Sequence, residues 1–149
     1  MAERYFNRLE AEELLPLIEQ SLVDARESKE KVEDLDLELS RATTEITVLG
    51  GSFPPYARLA TNRSEREQTM TRLKEAVDRI HAIGCLVKDL DQGLIDFPTL
   101  RGGQEVYLCW KVGEDRIRYW HGIEEGFAGR KPIDDLEPED PPSGPSCLQ

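Results

Sequence analysis

From Ala11 to Leu49, apolar or small residues recur at alternating intervals of three and four: Ala11, Leu14, Ile18, Ser21, Ala25, Ser28, Val32, Leu35, Leu39, Ala42, Ile46 and Leu49. This is a heptad seam, and it commits the first third of the chain to a long helix packed along a neighbour. Asn7 and Glu10 match a helix start in which each side chain caps the other's backbone N–H. Pro16 falls inside the pattern and is expected either to kink the first turns or to mark a second start. The three alanines and two serines make the seam thin, suited to close helix approach more than to strong apolar burial. Gly50-Gly51 and Phe53-Pro54-Pro55 are expected to end it.

A second helix is expected from Ser64, where Ser64 and Glu67 form a capping box, with Met70, Leu73, Val77 and Ile80 as its seam and Gly84 as its stop. Residues 7–84 then form an antiparallel hairpin of unequal arms. At 1.5 Å per residue, about 40 residues reach roughly 60 Å and about 20 reach roughly 30 Å. Part of the longer seam is left uncovered. The 50–63 connection folds back along it, the helix breaks near Pro16 or Ser28, or a second subunit covers it. A homodimer in a four-helix arrangement is the favoured expectation.

Beyond Gly84 the period changes to two. Cys85–Val87 and Leu94–Phe97 are strand candidates separated by a turn at Asp91-Gln92-Gly93. After a turn at Arg101-Gly102-Gly103, residues 105–111 alternate, with Val106, Leu108 and Trp110 on one face and Tyr107 and Cys109 on the other. Gly113-Glu114-Asp115 turns the chain into a last strand at 116–121. The architecture expected is α+β, a coiled-coil-like helical hairpin followed by a small antiparallel meander. Residues 1–133 are read as one domain. Residues 134–149, acidic and rich in proline, are read as a disordered tail.

Charge narrows the partners. The 149 residues carry a net charge of -11, but residues 10–45 contribute -8 and the tail -5, leaving +1 on residues 1–9 and +1 on 46–133. Nucleic-acid binding is disfavoured, because it needs a basic surface. No apolar run has the roughly 18 residues of a membrane span. An N-terminus without a signal-like segment, and three irregularly spaced cysteines, fit a reducing cytoplasm.

Chemistry-bearing side chains concentrate in residues 88–130. His121 with Asp89, Asp96 or Glu124 offers an imidazole and hard oxygens for a divalent metal, although no established metal-site spacing is present. The plain alternative for His121 is packing on Trp110 or Trp120. Cys109 is either a small packing residue or a nucleophile activated by His121. The strand register decides whether the two share a face. Trp110, Trp120, Arg101 and Arg130 are candidates for ligand binding by stacking and charge. Arg116 and Arg118, placed on one strand face, extend a possible anion site with Arg101 and Arg130. GFAGRKP is neither a phosphate loop nor a dinucleotide fingerprint.

The stretches VKDLDQGLIDFP, EVYLCWKVGED and RYWHGIEEGFAGR, with the early RYFNRLEAEELLPLI, resemble the bacterial domain-of-unknown-function family 2203 over about residues 4–133. The resemblance implies an uncharacterised bacterial protein and carries over no catalytic residue. Two functional expectations stand side by side. One is a non-enzymatic, cytoplasmic, homodimeric module that presents its β-rich face to a protein or small ligand. The other is a metal-dependent enzyme centred on His121, with hydrolysis as its candidate reaction.

Overall fold

The computed structural model describes residues 4–48 and 56–133. The expected helix stop at Gly50–Pro55 and the tail 134–149, with Cys147, lie outside the described residues. Helix α1 spans Arg8–Val48 and α2 spans Tyr56–Ile83, and the two pack against each other. Five strands follow: β1 (Leu86–Asp89), β2 (Leu94–Arg101), β3 (Gln104–Lys111), β4 (Tyr119–Gly122) and β5 (Lys131–Pro132). The fold is α+β.

The start of α1 is the reciprocal cap that its sequence implies. Glu10 N–H donates to Asn7 Oδ1 at 2.8 Å, and Asn7 N–H donates to Glu10 Oε1 at 2.9 Å. The helix continues through Pro16 without interruption. Helix α2 begins eight residues before the expected Ser64 start, so no capping box operates there. Its buried stripe also differs. Asn62, Thr69, Ala76 and Ile80 are buried, whereas Met70 is exposed and Leu73 and Val77 are only half-buried.

The chain groups into two compact units, residues 23–76 and the remainder. In the helical unit, Ala25, Ser28, Val32, Leu35 and Ala42 of α1 are buried, as are Asn62, Thr69 and Ala76 of α2. Small residues let the backbones approach, and Asn62 Nδ2 donates to the Leu35 carbonyl at 2.9 Å. Arg66–Asp36, Lys31–Glu65 and Arg58–Glu45 pairs lie on the surface, where such contacts add little.

In the other unit the sheet is an antiparallel meander in the order β1-β2-β3-β4-β5. Its apolar face carries Ile95, Phe97, Leu108 and Trp110. These pack with Phe6, Ala11, Leu15, Ile18 and Leu22 from the N-terminal side and Ile80 from the end of α2. Arg116–Arg118 are not part of β4. Ile117 is drawn into the core instead, and its N–H donates to Glu12 Oε2 on α1 at 2.9 Å. No helix among the described residues is long and apolar enough to cross a membrane.

Candidate metal centre

A two-residue turn between β2 and β3 sets the first pairing on the far face of the sheet. Gly102 and Gly103 both take positive φ, 59° and 81°, the geometry of a tight hairpin whose twist matches its strands. The resulting register places Asp96 of β2 opposite Cys109 of β3. Across the next ladder Cys109 faces Tyr119 and Tyr107 faces His121. Side chains two apart share a face, so Asp96, Tyr107, Cys109 and His121 all project away from the helices.

His121 reaches across β3 to Asp96. Its Nε2 lies 3.1 Å from both carboxylate oxygens, and its Nδ1 lies 2.8 Å from the carbonyl oxygen of the next residue, Gly122. A carbonyl only accepts, so Nδ1 carries the hydrogen. Nε2 is left facing the carboxylate. Tyr107 packs edge-on against the imidazole at 5.5 Å between centroids. Asp96 and Cys109 are 1% exposed and His121 3%. Ligand atoms of the three lie within 4.8 Å of one another. Burial pushes the Cys109 thiol up to about 12, helped by the Asp96 carboxylate beside it and opposed by Arg130. At neutral pH the metal-free thiol is therefore protonated, which weighs against a free cysteine nucleophile.

The set contains one nitrogen, one sulfur and one carboxylate donor. Neighbouring donors on a tetrahedral zinc with bonds of 2.0–2.2 Å lie about 3.3–3.6 Å apart, a few tenths of an ångström beyond the observed His121–Asp96 separation of 3.1 Å. A ligating histidine ordinarily gives its other ring N–H to a carbonyl or carboxylate, as His121 does to Gly122.

The family described as "Uncharacterized conserved protein (DUF2203)" matches residues 4–133. The chain belongs to this family. All three clustered residues fall inside the matched region. Comparison with curated proteins and with solved structures finds no match.

Of the residues singled out from the sequence, His121 and Asp96 come together. Asp89 does not join them: its Oδ1 accepts from the Gln92 N–H at 3.0 Å, and its Oδ2 accepts from the Gln92 amide at 3.1 Å, as in an ordinary turn. Glu124 is exposed on the segment after β4 and also lies outside the cluster. Trp110 is buried on the helix-facing side, donating its indole N–H to the Glu114 carbonyl at 2.9 Å. Trp120 shares that side, paired with Leu108, under the Arg101 guanidinium at 4.4 Å. Neither tryptophan packs on His121, because odd- and even-numbered positions of these strands face opposite ways. Arg130 is held by both Glu114 oxygens, at 2.9 and 3.0 Å, and stacks over Tyr119 at 4.1 Å. The four residues expected to bind a ligand thus divide between two faces. Cys109 was placed by the alternation of β3 on the face away from Trp110. The signal that it joins His121 was the register of the 112–118 connection, which sequence spacing leaves open.

Proposed function

We propose that the sheet unit binds a divalent transition-metal ion through Asp96, Cys109 and His121. The observation that carries this reading is the His121 orientation: its Nδ1–H is fixed on the Gly122 carbonyl, and Nε2 is turned toward a carboxylate and a thiol. The mixed N, S and O donors suit Zn²⁺ or Fe²⁺, while Mg²⁺ and Ca²⁺ favour oxygen alone. A thiolate, a carboxylate and a neutral imidazole balance a dication, so no net charge is buried. Three protein ligands leave one position of a tetrahedral ion for water or a small ligand, the feature that separates catalytic from structural zinc sites. The ion would displace the thiol proton.

Elemental analysis of protein purified without an affinity tag is expected to find stoichiometric zinc or iron. Cys109→Ser and His121→Ala should lose it, and Asp89→Asn and Glu124→Gln should keep it. Zinc added to metal-free protein should release the Cys109 thiol proton at neutral pH, read by calorimetry in buffers of different ionisation enthalpy. At a free concentration a hundredfold above Kd it should stabilise the fold by about 2.7 kcal/mol. A protein that takes up neither ion and melts at the same temperature in its presence refutes the reading.

A helix-mediated homodimer is the second reading. The sequence argued for it from an uncovered seam, but Ala25, Ser28, Val32, Leu35 and Ala42 are buried within the chain. What favours it now is a set of exposed apolar side chains in the helical unit: Leu37, Val48, Tyr56 and Met70. Light scattering that reports a strict monomer would retire it.

A further inference from the structure

A cavity of about 230 Å³ opens beside the β4–β5 ladder, lined by Arg8, Arg116, Arg118, Tyr119, Pro132 and Ile133. Three arginines from two parts of the sequence line it: Arg8 opens α1, and Arg116 and Arg118 come from the connection before β4. Their positions are fixed by the fold. Ile117, between the last two, is buried and donates its N–H to Glu12. The Arg118 carbonyl accepts from the Ile133 N–H at 2.8 Å, and Tyr119 pairs with Pro132.

The local acids do not use up this charge. Glu12 lies 3.5 Å from Arg8 Nε, too long for a strong bond, and already accepts from Ile117. Asp115 pairs with Arg118 at 2.9 Å on exposed surface, where solvent weakens the contact. Arg116 makes no hydrogen bond or ion pair among the described residues and contributes only a through-space charge near Asp115. Among the described residues, three arginines meet the carboxylates of Glu12 and Asp115, and Glu114, which also acts on Arg118, is held by Arg130, so the balance is positive.

We propose that this cavity binds a phosphate group, carried by a small phosphomonoester, with Arg116 and Arg118 as its principal partners and Arg8 at its base. Arginine presents its donors in a planar fork that matches the oxygens of phosphate. The apolar wall of Pro132 and Ile133 would take a small organic remainder. A volume below the roughly 300 Å³ of typical drug-sized sites excludes a dinucleotide. The sequence grouped Arg116 and Arg118 with Arg101 and Arg130. The structure keeps the first pair, replaces the second with Arg8, and sends Arg101 to Trp120 and Arg130 to Glu114. The inference is independent of the metal reading.

The test is calorimetric titration of the full chain with inorganic phosphate, then with phosphoserine, against chloride at equal ionic strength. Saturable one-site binding is expected, with phosphoserine at least as tight as phosphate. Arg116→Ala should weaken it about tenfold or more, the loss expected for a charge-assisted hydrogen bond, and Arg116→Lys less. Because Arg116 and Arg118 are exposed, the Arg116→Ala/Arg118→Ala protein should keep its melting temperature in the absence of ligand. Absence of saturable binding at millimolar phosphate overturns the proposal, as does equal binding by wild type and the double variant.

Discussion

Gly84, between α2 and β1, shows how much a single backbone position carries. Its φ is 114°, a value that side-chain-bearing residues rarely adopt. A Cβ placed there would sit 3.2 Å from Arg4 Cβ and 3.3 Å from Phe6 Cζ. Those neighbours are not free to move. Arg4 donates to the Ile83 carbonyl at 3.0 Å, and Phe6 is buried edge-on against Phe97 while its N–H donates to the Pro98 carbonyl. Gly84→Ala combines backbone strain with a crowded contact and is expected to cost about 1–3 kcal/mol. Chemical denaturation should show a lower midpoint at an unchanged slope. An unaltered midpoint would mean that the N-terminal segment shifts freely. The sequence marked Gly84 as a helix stop. The second constraint, the approach of residues 80 positions earlier, has no local signature.

Among the elements, α1 was the most legible and α2 the least. The alternating spacing of α1 is long enough to fix its helicity and most of its buried stripe: Ala11, Ile18, Ser21, Ala25, Ser28, Val32, Leu35 and Ala42 are buried as expected, whereas Leu14 is half-buried with Leu15 buried beside it, Ile46 is half-buried and Leu39 is exposed. In α2 the residues nearest the partner are Asn62, Thr69 and Ala76, none of them large and apolar. Asn62 is satisfied by the Leu35 carbonyl, and Thr69 Oγ1 donates to the Glu65 carbonyl at 2.7 Å. A search for large apolar residues therefore settles one position off, on Met70, and misses the first two turns. The meander was legible from its glycine turns and two-residue alternation, except at 116–118, where a bond to Glu12 replaces strand pairing, and at β5, whose two residues are too few to show an alternation. Pro16 offers a test at this scale. It is exposed, and it lies well inside α1, where its missing N–H leaves the Glu12 carbonyl without its helical donor. Pro costs about 3 kcal/mol relative to Ala in a helix interior, part of it offset by the greater freedom of an unfolded chain bearing Ala. Pro16→Ala should stabilise the protein by about 1–3 kcal/mol, read as a higher melting temperature. A fall would show that Pro16 sets a bend on which the packing of α1 depends.

At the scale of the whole molecule, the net charge of -11 belongs mostly to α1 and the tail, and the buried ionisable side chains, among them Cys85, Asp96, Cys109 and His121, lie in the sheet unit. That division governs the response to alkali. Cys85 is buried at the end of α2, its Sγ directed at the Ile80 carbonyl at 3.4 Å, and burial pushes its thiol up to about 12. Burial and the neighbouring Asp96 raise Cys109 in the same direction. In the unfolded chain both thiols ionise at an ordinary value near 8.5. Below that pH both states keep the proton and neither thiol affects stability. Above it the unfolded chain releases protons that the folded chain retains, so stability falls as pH rises toward 12, by about 1.4 kcal/mol per unit for each fully retained proton. Other groups titrate in this range, and comparison with Cys85→Ala removes their contribution. The urea stability of the metal-free variant should decline less steeply between pH 9 and pH 11 than that of wild type. Zinc adds a second contrast, because a Cys109 already ionised on the metal has no proton to retain. Zinc-loaded wild type should lose the Cys109 share of the alkaline slope and keep the Cys85 share, while zinc-loaded Cys85→Ala should lose both. Parallel curves for wild type and Cys85→Ala would show that Cys85 is open to solvent, and a slope indifferent to zinc would place the ion away from Cys109.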